Sequence, residues 1–179
     1  MTDFNPTENF FQLLGLPQQF ELDQAKLSQS YRQLQQSVHP DRFAAEGERQ
    51  RLLAVQKSSQ INEAFEVLRS PTQRAAYLLK LAGVDSDLSS ATFRDTDFLM
   101  QQMMLREELS ELSSASDPEA ALDKFYRELD TAASNQQAAF AGHYQAGDYM
   151  AARDVLAKMH FLDKLRHEAE QKEASLLDY

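Results

Sequence analysis

The sequence predicts an all-α protein built in two parts, and three observations carry that expectation. Apolar residues recur at spacings of three and four along successive segments, the period of one helix face. Only five Gly and five Pro stand among 179 residues, of which 42% are hydrophobic, enough for a core in one domain or two small ones. Charge balance also changes along the chain: residues 1–83 hold 9 acidic and 9 basic residues, and residues 84–179 hold 19 and 9. The whole net charge of -10 therefore sits in the second part.

Taken in order, Phe4 to Leu16 places Phe10, Leu13 and Leu14 before Gly15 and Pro17, a short helix or turn with its stop. Asp23 then caps a helix carrying Leu27, Tyr31, Leu34 and Val38, with Leu22 and Leu27 placed as a hydrophobic staple. A second long pattern runs from about Arg49 to Leu68, with Ala54, Ser58, Ile61, Phe65 and Leu68 on one side. At ~1.5 Å per residue the two helices would be roughly 24 and 30 Å long, matched for an antiparallel pair. Ser70-Pro71-Thr72-Gln73 is a capping box that opens a fourth helix, closed at Gly83.

Residues 84–92 are small, polar and aperiodic, so the boundary between domains 1–83 and 93–179 is placed there. Three further helices are expected: about Asp95 to Ser113, Asp117-Pro118 to just before Gly147, and Asp148 nearly to the C-terminus. A three-helix bundle is the simplest way to hide their stripes. Leu122, Phe125, Leu129, Ala133, Gln136 and Phe140 would line the second, and Val155, Met159, Leu162 and Ala169 the third.

Between the paired helices, residues 39–48 form a connection longer than is usual in bundles, and such loops are more often functional. Pro40 removes His39 from helical geometry and ends the first helix there. A helix pair joined by His39-Pro40-Asp41, followed by Ile61-Asn62-Glu63-Ala64-Phe65-Glu66-Val67-Leu68 and Arg74-Ala75-Ala76-Tyr77, resembles the J-domain co-chaperone family. The resemblance implies that His39, Pro40, Asp41 and Arg42, with Lys26 and Arg32 on the preceding helix, dock on a DnaK-class ATPase and stimulate its hydrolysis. Gln35 and Gln36 stand where lysine is frequent in that family, which implies a weaker electrostatic contact or a dedicated partner.

The helix near Asp95 has more apolar residues than one core face needs. Phe98, Leu105, Leu109 and Leu112 share a direction, Met100 and Met103 point nearly opposite, and Leu99 and Met104 lie on the flanks. Such a patch usually marks an interface, and flexible methionine suits it. The alternative is additional core burial. Phe161 lies about 100° from the centre of its own helix's stripe, which favours an interface over the interior.

Phe98-Leu99-Met100, Leu105-Arg106-Glu107-Glu108-Leu109 and Phe161-Leu162-Asp163-Lys164-Leu165-Arg166 resemble the C-terminal domain of the HscB family, the J-proteins of iron–sulfur cluster assembly. By that resemblance Leu99, Met100, Met103, Met104, Glu107 and Phe161 contact an IscU-like scaffold, which is delivered to an HscA-like ATPase. Met104 departs from the family pattern, where an acid is frequent; the resemblance then implies apolar contact at this position and leaves its polar contact open.

Other classes have less support. His39 and Asp41 could form an acid/base pair or an ordinary capped loop, but no third catalytic group accompanies them, so no enzyme is expected. Cysteine is absent, which removes disulfides, thiolate metal sites and cysteine nucleophiles. No glycine pattern forms a phosphate loop, and His160 and His167, seven apart, are poorly spaced for a shared metal. Neither cofactor nor metal is expected. The acidic second part argues against nucleic acid and anionic membranes. Without an apolar run near 18 residues or a secretory signal, the expectation is a cytoplasmic monomer or weak dimer. The alternative function is a J-protein for other clients, whose acidic bundle serves structure or dimerisation.

Overall fold

Asn9 starts the first helix with a reciprocal cap: its side chain accepts from the Gln12 amide at 3.0 Å, and the Gln12 side chain accepts from the Asn9 amide at 2.9 Å. The computed structural model describes residues 8–38, 47–85 and 95–177, and among these the regular structure is helical throughout. It divides into two units, Met1–Leu81 and Ala82–Tyr179.

In the first unit α1 (Phe10–Leu13) is a single turn, ended by Leu14 and by Gly15 at φ +63°. Phe10 stacks on Tyr77 at 4.5 Å, and the Phe10 amide donates to the Tyr77 hydroxyl at 3.0 Å. That hydroxyl satisfies one of the amides a helix start leaves open, and it ties α1 to α4 (Pro71–Leu81). Helices α2 (Gln24–Val38) and α3 (Glu48–Arg69) form the expected antiparallel pair. Asp23 caps α2, accepting from the Ala25 and Lys26 amides. Phe11, Leu27, Ala64, Leu68, Leu78 and Leu79 are fully buried between α1, α2, α3 and α4. Each large apolar side chain so buried contributes about 1.5–3 kcal/mol.

Two polar groups in this unit were not anticipated. Arg74 is buried, donates to the Leu68 carbonyl at 2.5 Å and lies 4.9 Å from the centre of the Phe20 ring. Desolvation lowers its pKa below the ordinary arginine value. The other is Gln35, which the sequence marks only as standing where lysine is frequent in the J-domain family. It joins α2 to α3, donating to the Ser58 carbonyl at 3.2 Å and accepting from the Ser58 hydroxyl at 2.9 Å. Asn62 extends the contact by accepting from Gln35 and, at 2.9 Å, from the Tyr31 hydroxyl.

The second unit is a three-helix bundle of α5 (Thr96–Glu111), α6 (Pro118–Gln145) and α7 (Tyr149–Leu177). Helix α5 ends two residues before the expected Ser113 and passes into a 3₁₀ turn, Leu112–Ser114. Asp95 caps α5, accepting from the Phe98 amide at 3.1 Å and pairing with Lys158 at 2.5 Å. The Lys158 hydrogen bond, then the Phe98 amide, hold the Asp95 carboxyl below its ordinary pKa. Asp117 caps α6 with Pro118 in the first turn. At the far end of α5, Lys172 donates to the Leu109 and Ser110 carbonyls at 2.5 and 3.1 Å, groups a helix C-terminus leaves unpaired.

A hydrophobic core joins the three helices: Leu105, Leu109 and Leu112 pack against Phe125, Leu129, Leu162, Leu165 and Ala169. Its stripe on α7 is wider than expected, because Ala152, Leu156 and Leu165 are fully buried beside Val155, Met159 and Leu162. A helix facing two neighbours must bury a broader arc than one facing a single partner.

Phe125→Ala is expected to cost about 3–5 kcal/mol in urea unfolding, and a loss under ~1 kcal/mol would contradict its place in the core. The Tyr126 hydroxyl donates to Glu173 at 2.8 Å, and burial, then that carboxylate, raises its pKa to about 12. Its contribution to stability is complete below pH 10.0, the ordinary tyrosine value, and fades as pH rises towards about 12. Tyrosinate absorbance of Tyr126→Phe should lack this late step; superimposable titrations of variant and parent would refute the raised value.

Candidate functional site

The sequence marks two surfaces, one in each unit. His39, Pro40, Asp41 and Arg42 lie outside the described residues, between the end of α2 at Val38 and Gly47, which precedes α3. Lys26 and Arg32 are exposed on α2. Lys26 lies 3.9 Å from Asp23, and Arg32 donates to the Ser28 carbonyl at 3.2 Å. Six residues apart, they stand about 120° from each other around the helix, so one face does not carry both.

In the second unit α5 turns Phe98, Leu105 and Leu109 inward. Its other side carries Met103 at 73% exposure, Met104 at 62%, Met100 at 60% and Leu99 at 39%. The alternative in which these residues complete the core is not what the fold does with them. A spacing of four puts Leu99 beside Met103 and Met100 beside Met104, with exposed Glu107 one turn further on. The apolar patch thus has an acidic end.

Phe161 is only partly withdrawn from the surface. It is half-buried against the core, meets Phe98 edge to face at 5.9 Å and lies under the Arg106 guanidinium at 5.4 Å. Arg106 is in turn held 3.5 Å from Glu168 of α7. Phe161 therefore packs beside α5 through Phe98 and Arg106 and presents only part of its ring.

On the opposite edge, Met100 and Met104 overhang a cavity of about 590 Å³ between α5 and α6. Its α6 wall includes Lys124, Arg127, Glu128, Thr131 and Asn135. None of these was marked by the sequence, because polar residues on a helix read as solvated surface until a neighbouring helix is placed beside them.

Among the described residues no cluster of His, Cys, Asp and Glu could hold a metal, and no helix is long and apolar enough to cross a membrane. His160 is exposed, and His167 lies 3.7 Å from Glu170.

Comparison with known proteins bears on both units. The DnaJ domain family model matches residues 9–77, and the model described as the HSCB C-terminal oligomerisation domain matches residues 94–170. A co-chaperone protein HscB homolog of Photobacterium profundum is 45% identical over 170 residues, 95% of this chain and 99% of its own length. Another from Vibrio cholerae is 44% identical over 169 residues, covering 94% and 99%. Among solved structures, the chaperone HscB from Vibrio cholerae superposes with a TM-score of 0.82 at 43% identity, covering 94% of this chain and 99% of that one. The human co-chaperone protein HscB gives 0.83 at 27% identity, covering 94% and 84%.

If the outward side of α5 is surface and not core, Met100→Ser and Met103→Ser should each shift unfolding free energy by no more than about 0.5 kcal/mol. Leu105→Ala, on the opposite side, should cost about 2–5 kcal/mol. Equal losses at Met103 and Leu105 would refute the division.

Proposed function

Because the chain belongs to the HscB family of J-domain co-chaperones, we propose that it stimulates an HscA-like, DnaK-class ATPase and delivers to it an IscU-like iron–sulfur scaffold protein. In this reading residues 1–83 do the stimulating, through His39, Pro40, Asp41 and Arg42, with Lys26 and Arg32 as outlying cations. Residues 93–179 hold the scaffold, and 84–92 link the two. The chain performs no chemistry; hydrolysis belongs to the ATPase.

The observation that carries the reading is the outward face of α5, where Leu99, Met100, Met103 and Met104 stay at the surface although the core is complete without them. Surface methionines and leucines of this kind provide adaptable buried area for a partner, and a few such anchors dominate most interfaces. Glu107 and the acidic second part favour a basic rim on that partner and speed encounter more than they deepen affinity. Iron–sulfur clusters are held mainly by thiolates, and this sequence has no cysteine. The cluster chemistry would then lie with the scaffold, and this chain would recognise folded protein surface.

A second reading has one observation behind it. The C-terminal family model is described as an oligomerisation domain, and the same apolar face would suit a second copy. Sedimentation of the chain alone over a concentration series separates the two readings.

His39→Gln and Asp41→Asn should abolish stimulation in single-turnover ATP hydrolysis while leaving scaffold affinity unchanged. Normal stimulation by both variants would sink the proposed role of the tripeptide.

A further inference from the structure

The cavity between α5 and α6 has a built shape. Its floor is Leu105 and Ala132, both buried, and its α5 wall is formed by the exposed Met100 and Met104. Opposite them α6 presents Glu128, Thr131 and Asn135, spaced by three and four along one face. Thr131 and Asn135 are short side chains, and a trough lies between them and the methionines. At about 590 Å³ it lies within the range of ordinary binding clefts, about 300–1,000 Å³.

Its charges are unevenly matched. Asp97, Glu108 and Glu128 line it with Lys124 and Arg127. Lys124 is held at 3.1 Å from Glu108 and 3.2 Å from Glu128, so one cation serves two carboxylates. Asp97 stands at the other end of the trough, on the first turn of α5. Lys124 and Arg127 stand with Glu108 and Glu128, so it is the Asp97 end, within the surrounding excess of acid in residues 84–179, that favours a cationic occupant.

The trough is continuous with the exposed face of α5, since Met100 and Met104 belong to both. We propose that this groove is a second compartment of the client site, taking a segment of the scaffold protein that carries an apolar side chain flanked by lysine or arginine. The inference rests on the scaffold-binding reading of α5 and extends it onto α6. The apolar side chain would lie on Leu105 and Ala132 between the two methionines, and its basic neighbour would meet Asp97. The compartment would add register to the contact: the α5 face alone offers adaptable apolar area, whereas a trough with an acid at its Asp97 end selects a spacing between anchor and cation.

Calorimetric titration of the whole chain with the IscU-like scaffold tests this through three variants. Asn135→Trp fills the trough from an exposed position, Thr131→Lys places a cation in it, and Met103→Ala alters the α5 face outside it. Asn135→Trp and Thr131→Lys should each weaken scaffold binding about tenfold with helical content preserved, and Asp97→Asn should flatten the salt dependence of association. Weakening by Met103→Ala with full affinity in both α6 variants overturns the groove and leaves the α5 site standing. Full affinity in all three overturns both. If the α6 variants change self-association in sedimentation and not scaffold affinity, the groove belongs to a second copy and the proposal fails.

Discussion

A helix packed against two others can bury only the arc that faces them, and α5 carries more apolar residues than that arc holds. Helices α6 and α7 determine the arc. Phe125, Leu129, Leu165 and Ala169 meet Leu105, Leu109 and Leu112, and Lys172 closes the end of α5 by taking its last carbonyls. With the helix so fixed in rotation, Met100 and Met103 must face away from the core. Turning α5 to bury them would expose Phe98, Leu105 and Leu109, whose burial is worth about 1.5–3 kcal/mol each. The exposed patch is thus enforced by the same packing that makes the bundle stable.

The first unit is arranged on a different principle. Near α1 and α4 its helix pair is held by apolar packing, with Leu27, Ala64 and Leu68 fully buried. Towards the end where His39-Pro40-Asp41 connects the helices, the joint becomes polar: Gln35 bridges to Ser58 and Asn62, and Tyr31 stacks on Phe65 at 4.1 Å while its hydroxyl reaches Asn62. Hydrogen bonds of this kind contribute about 0.5–1.5 kcal/mol each, less than a buried leucine, but their geometry specifies register. They hold the two helices in step near the end of α2 that leads into residues 39–43, on which the proposed function depends.

Much of this was legible in the sequence, for identifiable reasons. Helix starts at Asp23, Asp95 and Asp117 were readable because a capping side chain acts within three residues of its own position. The split of α5 into inner and outer faces was readable because helical period places residues around an axis without reference to any partner. Where the outcome depended on a neighbouring helix, the sequence was silent. The angle of Phe161 on its helix did not reveal that Phe98 and Arg106 of α5 cover part of its ring. Gln35 read as a missing lysine until Ser58 and Asn62 came within reach. Arg74 became a buried cation because Phe20 and the Leu68 carbonyl surround its guanidinium. The α6 wall of the groove has no signature of its own.

The central claim is a division of labour: scaffold on the second unit, ATPase chaperone on the first. Amide shifts of the isotope-labelled whole chain, recorded on addition of the scaffold and then, separately, of the chaperone in its ATP state, test it most directly. The account predicts that scaffold-induced shifts concentrate between Leu99 and Glu107 and spare α2, and that chaperone-induced shifts concentrate on α2 and residues 39–43 and spare α5. Scaffold-induced shifts centred on α2, or none on the outward face of α5, would contradict it.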